Sequence, residues 1–294
     1  MLRIALPGGK SLEQRTCELF AEARITLKRE DGMHAVKFPD HHDLSLGRFL
    51  KPKRIPLLVA SGDFDLGITG RDMVMESGED VRTCAELPYS RSTPEDTHGV
   101  LFAHEDDPIS TVAEIPEDSV ILSEYPRLTR KFFERKGRRV TIVESPGSAE
   151  AEVPFKYRFG LALSETGKSL RANRLKVLAT LFHSGTVLIA NKKSIRDAAT
   201  REKMHALKLI LTGVLAARGK VMLSMNVPKP KLQEVLAHLP AMNKPTLADL
   251  AGGEFVSASA VVPVKEVNLL ISSLLKLGVK GLITIPITSV IRSW

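Results

Sequence analysis

The sequence predicts an α/β protein followed by a separate C-terminal α/β unit, and three observations carry that expectation. Over the first half, short β-rich runs alternate with longer segments of helical period, as in an open sheet flanked by helices. Beyond Gly219 the order becomes β-α-β-β-α-β, which is ferredoxin-like. A length of 294 residues also exceeds one ordinary core and implies two or three compact units.

Leu2 to Leu6 is the opening strand, and it ends in the turn Pro7-Gly8-Gly9-Lys10-Ser11. A helix follows with Leu12, Cys17, Leu19 and Phe20 as its apolar positions, and Ser11 and Gln14 have capping-box spacing. Further strands are expected at 65–69, 99–103, 120–123, 140–143, 160–163 and 186–191, with a helix over 128–136 closed by Gly137. From Ile195 to Ala217 the pattern is helical, with Ile195, Ala198, Ala199, Leu207, Ile210, Leu211, Val214 and Leu215 on or near one stripe. In the tail, strands are read at 220–227, 246–250, 255–262 and 281–286, with helices over 229–239 and 264–277. Val264, Val267, Leu270, Ile271, Leu274 and Leu275 of the second tail helix are expected to face a sheet.

With 43% hydrophobic and 26% charged residues the composition is that of a globular protein, and no segment approaches the ~18 apolar residues needed to cross a bilayer. The start lacks a basic segment, a long apolar run and a cleavage site, so the expected location is cytoplasmic. Cys17 and Cys84 have no metal-ligand or redox spacing and are read as buried thiols. A formal charge of +8 favours acidic partners. Aromatics are only 5% and do not interleave with basic residues, which disfavours nucleic acid and leaves small phosphorylated ligands.

The most informative segment is Ser164-Glu165-Thr166-Gly167-Lys168-Ser169-Leu170, placed between a strand and a helix. Successive N–H groups around Gly167 form an anion nest there, with the Thr166 and Ser169 hydroxyls as further donors; solvated helix face is the alternative for Lys168 and Arg171. Gly8-Gly9-Lys10-Ser11 occupies the same setting at the first crossover, but the glycine a Walker loop requires would fall at Ile4. In Asp65-Leu66-Gly67-Ile68-Thr69-Gly70-Arg71-Asp72 small residues allow a ligand near the backbone, and Asp72 either caps the next helix or binds a hydroxyl. Glu124-Tyr125-Pro126-Arg127-Leu128-Thr129-Arg130 starts a helix whose Arg127 and Arg130 oppose the macrodipole, which favours a ligand role. Asp40-His41-His42-Asp43 has metal-ligand residue types without metal-ligand spacing.

Together and in this order, these segments resemble the ATP phosphoribosyltransferase family over essentially the whole chain, continuing through Leu188-Ile189-Ala190-Asn191, Pro245-Thr246 and Ile283-Thr284-Ile285-Pro286. The resemblance implies a two-lobed catalytic core like type II periplasmic binding proteins, with residues 1–92 and 184–218 in the first lobe and 93–183 in the second. It implies that 219–294 is the regulatory domain of the long form, which binds histidine as inhibitor, with Thr246 and Gly278 near the effector. The implied reaction joins the phosphoribosyl group of phosphoribosyl pyrophosphate to N1 of ATP, with Mg2+ and a dimeric or hexameric assembly. Glu165, Thr166, Gly167, Lys168, Ser169 and Leu170 would hold the sugar phosphate. Glu165, Lys10 and Arg130 would serve catalysis, and Gly70, Asp72, Tyr125 and Arg127 the ATP pocket.

At two positions the chain departs from the family pattern: Ala162 and Arg158 stand where the family places Asp. Glu165 is the nearby carboxylate expected to take over the ribose. The competing reading is a non-catalytic histidine- or nucleotide-binding member of the same fold.

Overall fold

The computed structural model describes residues 1–29, 32–89, 97–147, 149–242 and 244–291. Two compact units divide at Lys208 and Leu209. In the first unit the chain runs β1 (Leu2–Pro7), α1 (Lys10–Glu22), β2 (Lys28–Arg29), β3 (Ala35–Lys37), β4 (Leu44–Leu50), α2 (Ile55–Ser61), β5 (Leu66–Gly70), α3 (Arg71–Ser77) and β6 (Val81–Leu87). It continues through β7 (Thr97–His104), β8 (Ser119–Ser123), α4 (Pro126–Arg135), β9 (Val140–Glu144), α5 (Ala149–Glu152), β10 (Phe159–Ser164), α6 (Lys168–Ala172) and β11 (Leu175–Ser184). β12 (Thr186–Asn191) and α7 (Ala198–Ala217) follow.

These strands form two sheets. The first has the order β2-β3-β4-β1-β5-β12-β6 and the second β11-β7-β10-β8-β9. β4, β1 and β5 run parallel, and β12 returns from the other lobe to insert antiparallel between β5 and β6. In the second sheet β9, β8 and β10 are parallel, with β7 entering antiparallel beside β10. This is the two-lobed type II periplasmic-binding-protein arrangement. It aims the carboxyl ends of both parallel sets at the crossings, where open α/β sheets form their ligand crevices.

The period of each strand explains its place. All six residues of β12 are buried, as a strand covered on both faces requires. It packs Val187 and Ile189 against Ile55 and Val59 of α2. Each such side chain contributes roughly 1.5–3 kcal/mol by leaving water. β10 divides its side chains between two cores, Phe159 and Leu161 on one face and Ala162 on the other with Leu170 of α6 and Ala149 of α5. The loop between β10 and α6 is therefore anchored on both sides.

The second unit contains β13 (Lys220–Pro228), α8 (Leu232–His238), β14 (Thr246–Asp249), β15 (Phe255–Pro263), α9 (Val264–Lys276) and β16 (Lys280–Pro286). Its antiparallel order β14-β15-β13-β16 is ferredoxin-like. Leu223, Met225, Val235, Ala258, Val267 and Leu274 form its core.

Several sequence expectations need correction. α1 begins at Lys10, so Ser11 lies inside the first turn; the reach-back bond runs instead from the Gly9 N–H to Glu13 (2.9 Å), and Gln14 bonds Glu18. Ala198 and Ala199 are exposed at the start of α7. Val264 and Leu275 are 50% and 55% exposed, so the core stripe of α9 is narrower than expected. Cys17 and Cys84 are half-buried, and desolvation pushes both thiols up. In the polar loop Asp40 accepts from Thr26 and Asp43 pairs with Lys203 at 3.1 Å, and no metal cluster occurs among the described residues. No described helix is long and apolar enough to span a membrane.

Candidate active site

Gly167 caps α6 at φ 67° and ψ 6°, a left-handed conformation that glycine adopts without a steric penalty. The first bond of α6 runs from the Arg171 N–H to the Gly167 carbonyl (3.0 Å), so the Lys168, Ser169 and Leu170 amides have no intrahelical acceptor. The Gly167 N–H donates to the Ser164 hydroxyl at 3.1 Å. Leu170 is 4% exposed and fixes the helix to the lobe core, whereas Thr166, Lys168 and Ser169 face solvent. Arg171 folds back to donate to the Thr166 carbonyl at 3.0 Å, adding positive charge beside the loop.

In front of these groups lies an open cavity of about 510 Å³, lined by Ser164 to Ser169 together with Thr97, Leu163, Ala172 and Glu150. Glu150, on the short α5, was not singled out from sequence, although the Pro146-Gly147 turn after β9 marks a strand-to-helix junction like that of the phosphate loop. It sets a second carboxylate on the wall of the cavity that Glu165 lines. Thr97 and Leu163 also line a small interlobe cavity with Leu12, Pro52, Gly70, Asp72, Ser184, Gly185 and Thr186. The cavity in front of the loop thus adjoins the one between the sheets.

Gly70 caps α3, so Asp72 lies in the first helical turn and not at the cap. A Cβ at Gly70 would overlap the Asp72 carboxylate. Asp72 is 4% exposed, and both its oxygens have partners: the Ser184 hydroxyl at 2.6 Å and the Tyr125 hydroxyl at 2.7 Å. Ser184 in turn accepts from the Asp72 N–H at 2.9 Å. A helix of the first lobe, a helix start of the second and the end of β11 are tied at one buried carboxylate.

The basic start of α4 has a related explanation. Glu76, near the end of α3, accepts from the Arg127 and Leu128 N–H groups at 2.8 and 2.9 Å, supplying the negative charge a helix start favours. Burial pushes the Glu76 carboxyl up, although these bonds and the Arg127 charge draw it down. Arg127 reaches the Ser77 carbonyl at 2.8 Å, at the negative end of α3. Arg130 is exposed and lines neither cavity. Lys10 opens α1, and its side chain lies outside the described residues.

The departures from the family pattern also find places. Ala162 is 2% exposed and packs in the apolar cluster beneath the loop. Arg158 lies away from the cavity and pairs with Asp107 through two bonds of 2.6 and 3.0 Å, which hold the Asp107 carboxyl below its ordinary value. In the second unit Thr246 is exposed on β14, paired with Ser259, while Gly278 sits at the α9–β16 turn beside Pro228; no described cavity joins them.

The family model for ATP phosphoribosyltransferase matches residues 51–213, and the model for its C-terminal domain matches 217–289. The chain belongs to the ATP phosphoribosyltransferase family. Relatives in that family include the ATP phosphoribosyltransferase of Chlorobium phaeovibrioides, 36% identical over 99% of this chain and 98% of that protein. The enzyme of the same name from Pelotomaculum thermopropionicum is 36% identical over 99% of both. In structure, the chain resembles the ATP phosphoribosyl transferase (HisG:HisZ) complex from Thermotoga maritima, with TM-score 0.62 and 22% identity over 72% of this chain and 97% of that one. The match to the family's C-terminal domain identifies the long form.

Proposed function

We propose that the chain transfers the 5-phosphoribosyl group of phosphoribosyl pyrophosphate to N1 of ATP, giving phosphoribosyl-ATP and pyrophosphate, the first step of L-histidine biosynthesis. The observation that carries this reading is the Thr166 to Ser169 loop, which fronts an open cavity continuous in its lining with the interlobe crevice. Thr166, Gly167, Lys168 and Ser169 hold the sugar 5-phosphate by amide, hydroxyl and charge, and Leu170 keeps their helix in place. Glu165 and Glu150 orient the ribose hydroxyls, the task that the Ala162 methyl cannot perform.

In the reaction adenine N1 forms a bond to the anomeric carbon as the bond to pyrophosphate breaks. The electron pair leaves with pyrophosphate, and the adenine amino group loses a proton to solvent. Charge grows on the leaving group and the sugar, so alignment and cationic stabilisation supply most of the acceleration. Lys10 is assigned to polyphosphate, whereas Arg130, exposed and lining neither cavity, is left out of the site. Gly70, Asp72, Tyr125 and Arg127 shape the ATP pocket by joining its walls, because their polar groups are engaged with protein.

Magnesium commonly binds through one or two carboxylates plus substrate phosphates, and Glu150 and Glu165 on one cavity are a donor set that fits. When bound, the ion neutralises polyphosphate charge. We further assign the chain to the cytoplasm, histidine feedback to the C-terminal unit around Thr246 and Gly278, and a dimeric or hexameric assembly.

The test is to incubate purified protein with ATP, phosphoribosyl pyrophosphate, Mg2+ and pyrophosphatase and to follow product absorbance. Turnover that histidine suppresses is expected. Glu165→Gln and Glu150→Gln should each lower kcat/KM by at least about tenfold, the equivalent of ~1.4 kcal/mol. Intact ligand binding with no turnover in the unaltered protein would replace this reading with a purely regulatory one.

A further inference from the structure

A second cavity, of about 560 Å³, opens beside β6, the edge strand of the first sheet. Strand register fixes its position. β6 pairs with β12 from Leu87 opposite Thr186, at the crevice end, to Val81 opposite Asn191 at the other. Arg82 and Thr83 of the cavity wall stand opposite Ala190 and Ile189. At roughly 3.3 Å per residue, that is on the order of 13 Å along the sheet from the crevice end. The cavity shares no lining residue with the phosphate-loop cavity or the interlobe one.

Its wall gathers positive charge from separate elements: Arg82 of β6, Lys192 just past β12, Arg196 of the turn before α7, and Arg201 and Lys208 of α7. No carboxylate lines it. Asp80, bonded to Lys192, and Asp197, which caps α7 through the Thr200 N–H at 2.8 Å, both lie outside the wall. Arg201, Met204, His205 and Lys208 fall at i, i+3, i+4 and i+7, so one face of α7 supplies a side of the cavity. Arg201 donates to the Ile195 carbonyl at 3.3 Å, which holds that guanidinium close to the turn before α7. Met204 is buried and Ile195 half-buried, giving an apolar floor beneath the charged rim.

Like charges gathered on one wall repel, even with Asp80 bonded to Lys192, and a multivalent anion reverses that cost. Planar guanidinium groups match phosphate oxygens in paired bonds. The volume is that of a site for a small organic molecule, more than a phosphate chain alone would fill, and the floor offers apolar contact to the remainder. We propose that this cavity binds a nucleoside polyphosphate at a site separate from the interlobe crevice.

Titrating the full-length protein with ADP by calorimetry tests the assignment. The variant Arg196→Glu/Arg201→Glu should weaken one class of ADP site at least tenfold and leave phosphoribosyl pyrophosphate binding unchanged. Both residues are exposed, and Arg82→Ser, on a different element, should weaken the same class. Binding to that class should also fall as salt rises. Inorganic triphosphate serves as the second probe and should bind this class more weakly than ADP. An ADP isotherm that neither variant alters would overturn the proposal. So would a class that takes triphosphate but not ADP. A drop in native mass without any change in ADP binding would mark the cavity instead as an acidic-protein interface and sink the proposal equally.

Discussion

Gly167 concentrates the argument at the level of single residues. Its left-handed backbone turns β10 into α6, and an L side chain there costs roughly 1–2 kcal/mol. A Cβ would also press on the Arg171 guanidinium that lies over the loop. Gly167→Ala should therefore raise the KM for phosphoribosyl pyrophosphate by about tenfold, the equivalent of ~1.4 kcal/mol, with a smaller effect on the KM for ATP. Steady-state kinetics in both substrates measure this, and an unchanged sugar-phosphate KM would remove the loop from the binding role. The loop was legible in sequence because strand, glycine and helix are contiguous. Glu150 was not, since it reaches the cavity only when α5 packs Ala149 beside Ala162. From sequence Asp72 offers only a cap or a ligand, because its partners, Tyr125 and Ser184, come from distant parts of the chain.

Among elements, the crevice walls depend on a few bonds between α3, α4 and β11. Tyr125→Phe removes the hydroxyl that satisfies one buried Asp72 oxygen, so it should cost on the order of 1–3 kcal/mol. Thermal or urea unfolding will read this loss, and an unaltered midpoint would show that the clasp contributes nothing net. A second junction joins the starts of β1 and β5 to the turn before α7. Desolvation raises the Asp65 carboxyl, but hydrogen bonds from the Arg3 backbone and side chain and from Ser194 outweigh it, and the group is held below its ordinary value. A carboxyl lowered by folding adds stability above its unfolded pKa of about 3.9 and loses it as pH falls through the folded value. Asp65→Asn should accordingly lower the melting temperature at pH 7, and the gap from the unaltered protein should narrow near pH 3; a gap constant with pH would refute the linkage. Two of the strands that escape the sequence reading, β6 and β11, share a cause. β6 is an edge strand with an irregular burial pattern, and β11 carries two register shifts, so neither keeps the period of two that marks a strand.

For the whole molecule, the C-terminal sheet offers a surface for the proposed assembly. One face of β13 and β15 carries Leu223, Met225, Ala258 and Ala260 into the core beneath α8 and α9. The other face bears Ser224, Ser257 and Ser259 beside apolar side chains left open: Met222 is 36% exposed, Ile285, its partner in register, 43%, and Ile283 57%. An antiparallel sheet with one solvated face ordinarily makes that face polar, and clustered apolar residues there point to a covering surface. In a homo-oligomer that cover is a second copy of the chain. Replacing Ile283 and Ile285 by Lys puts two charges on that face without touching the core, so the variant should fold with native secondary structure and a reduced native mass. Light scattering coupled to size exclusion distinguishes the outcomes. A variant that keeps the mass of the unaltered protein across a wide concentration range would move the interface elsewhere, whereas a smaller species that still binds substrate would assign assembly to the C-terminal sheet and leave the crevice as the seat of the chemistry.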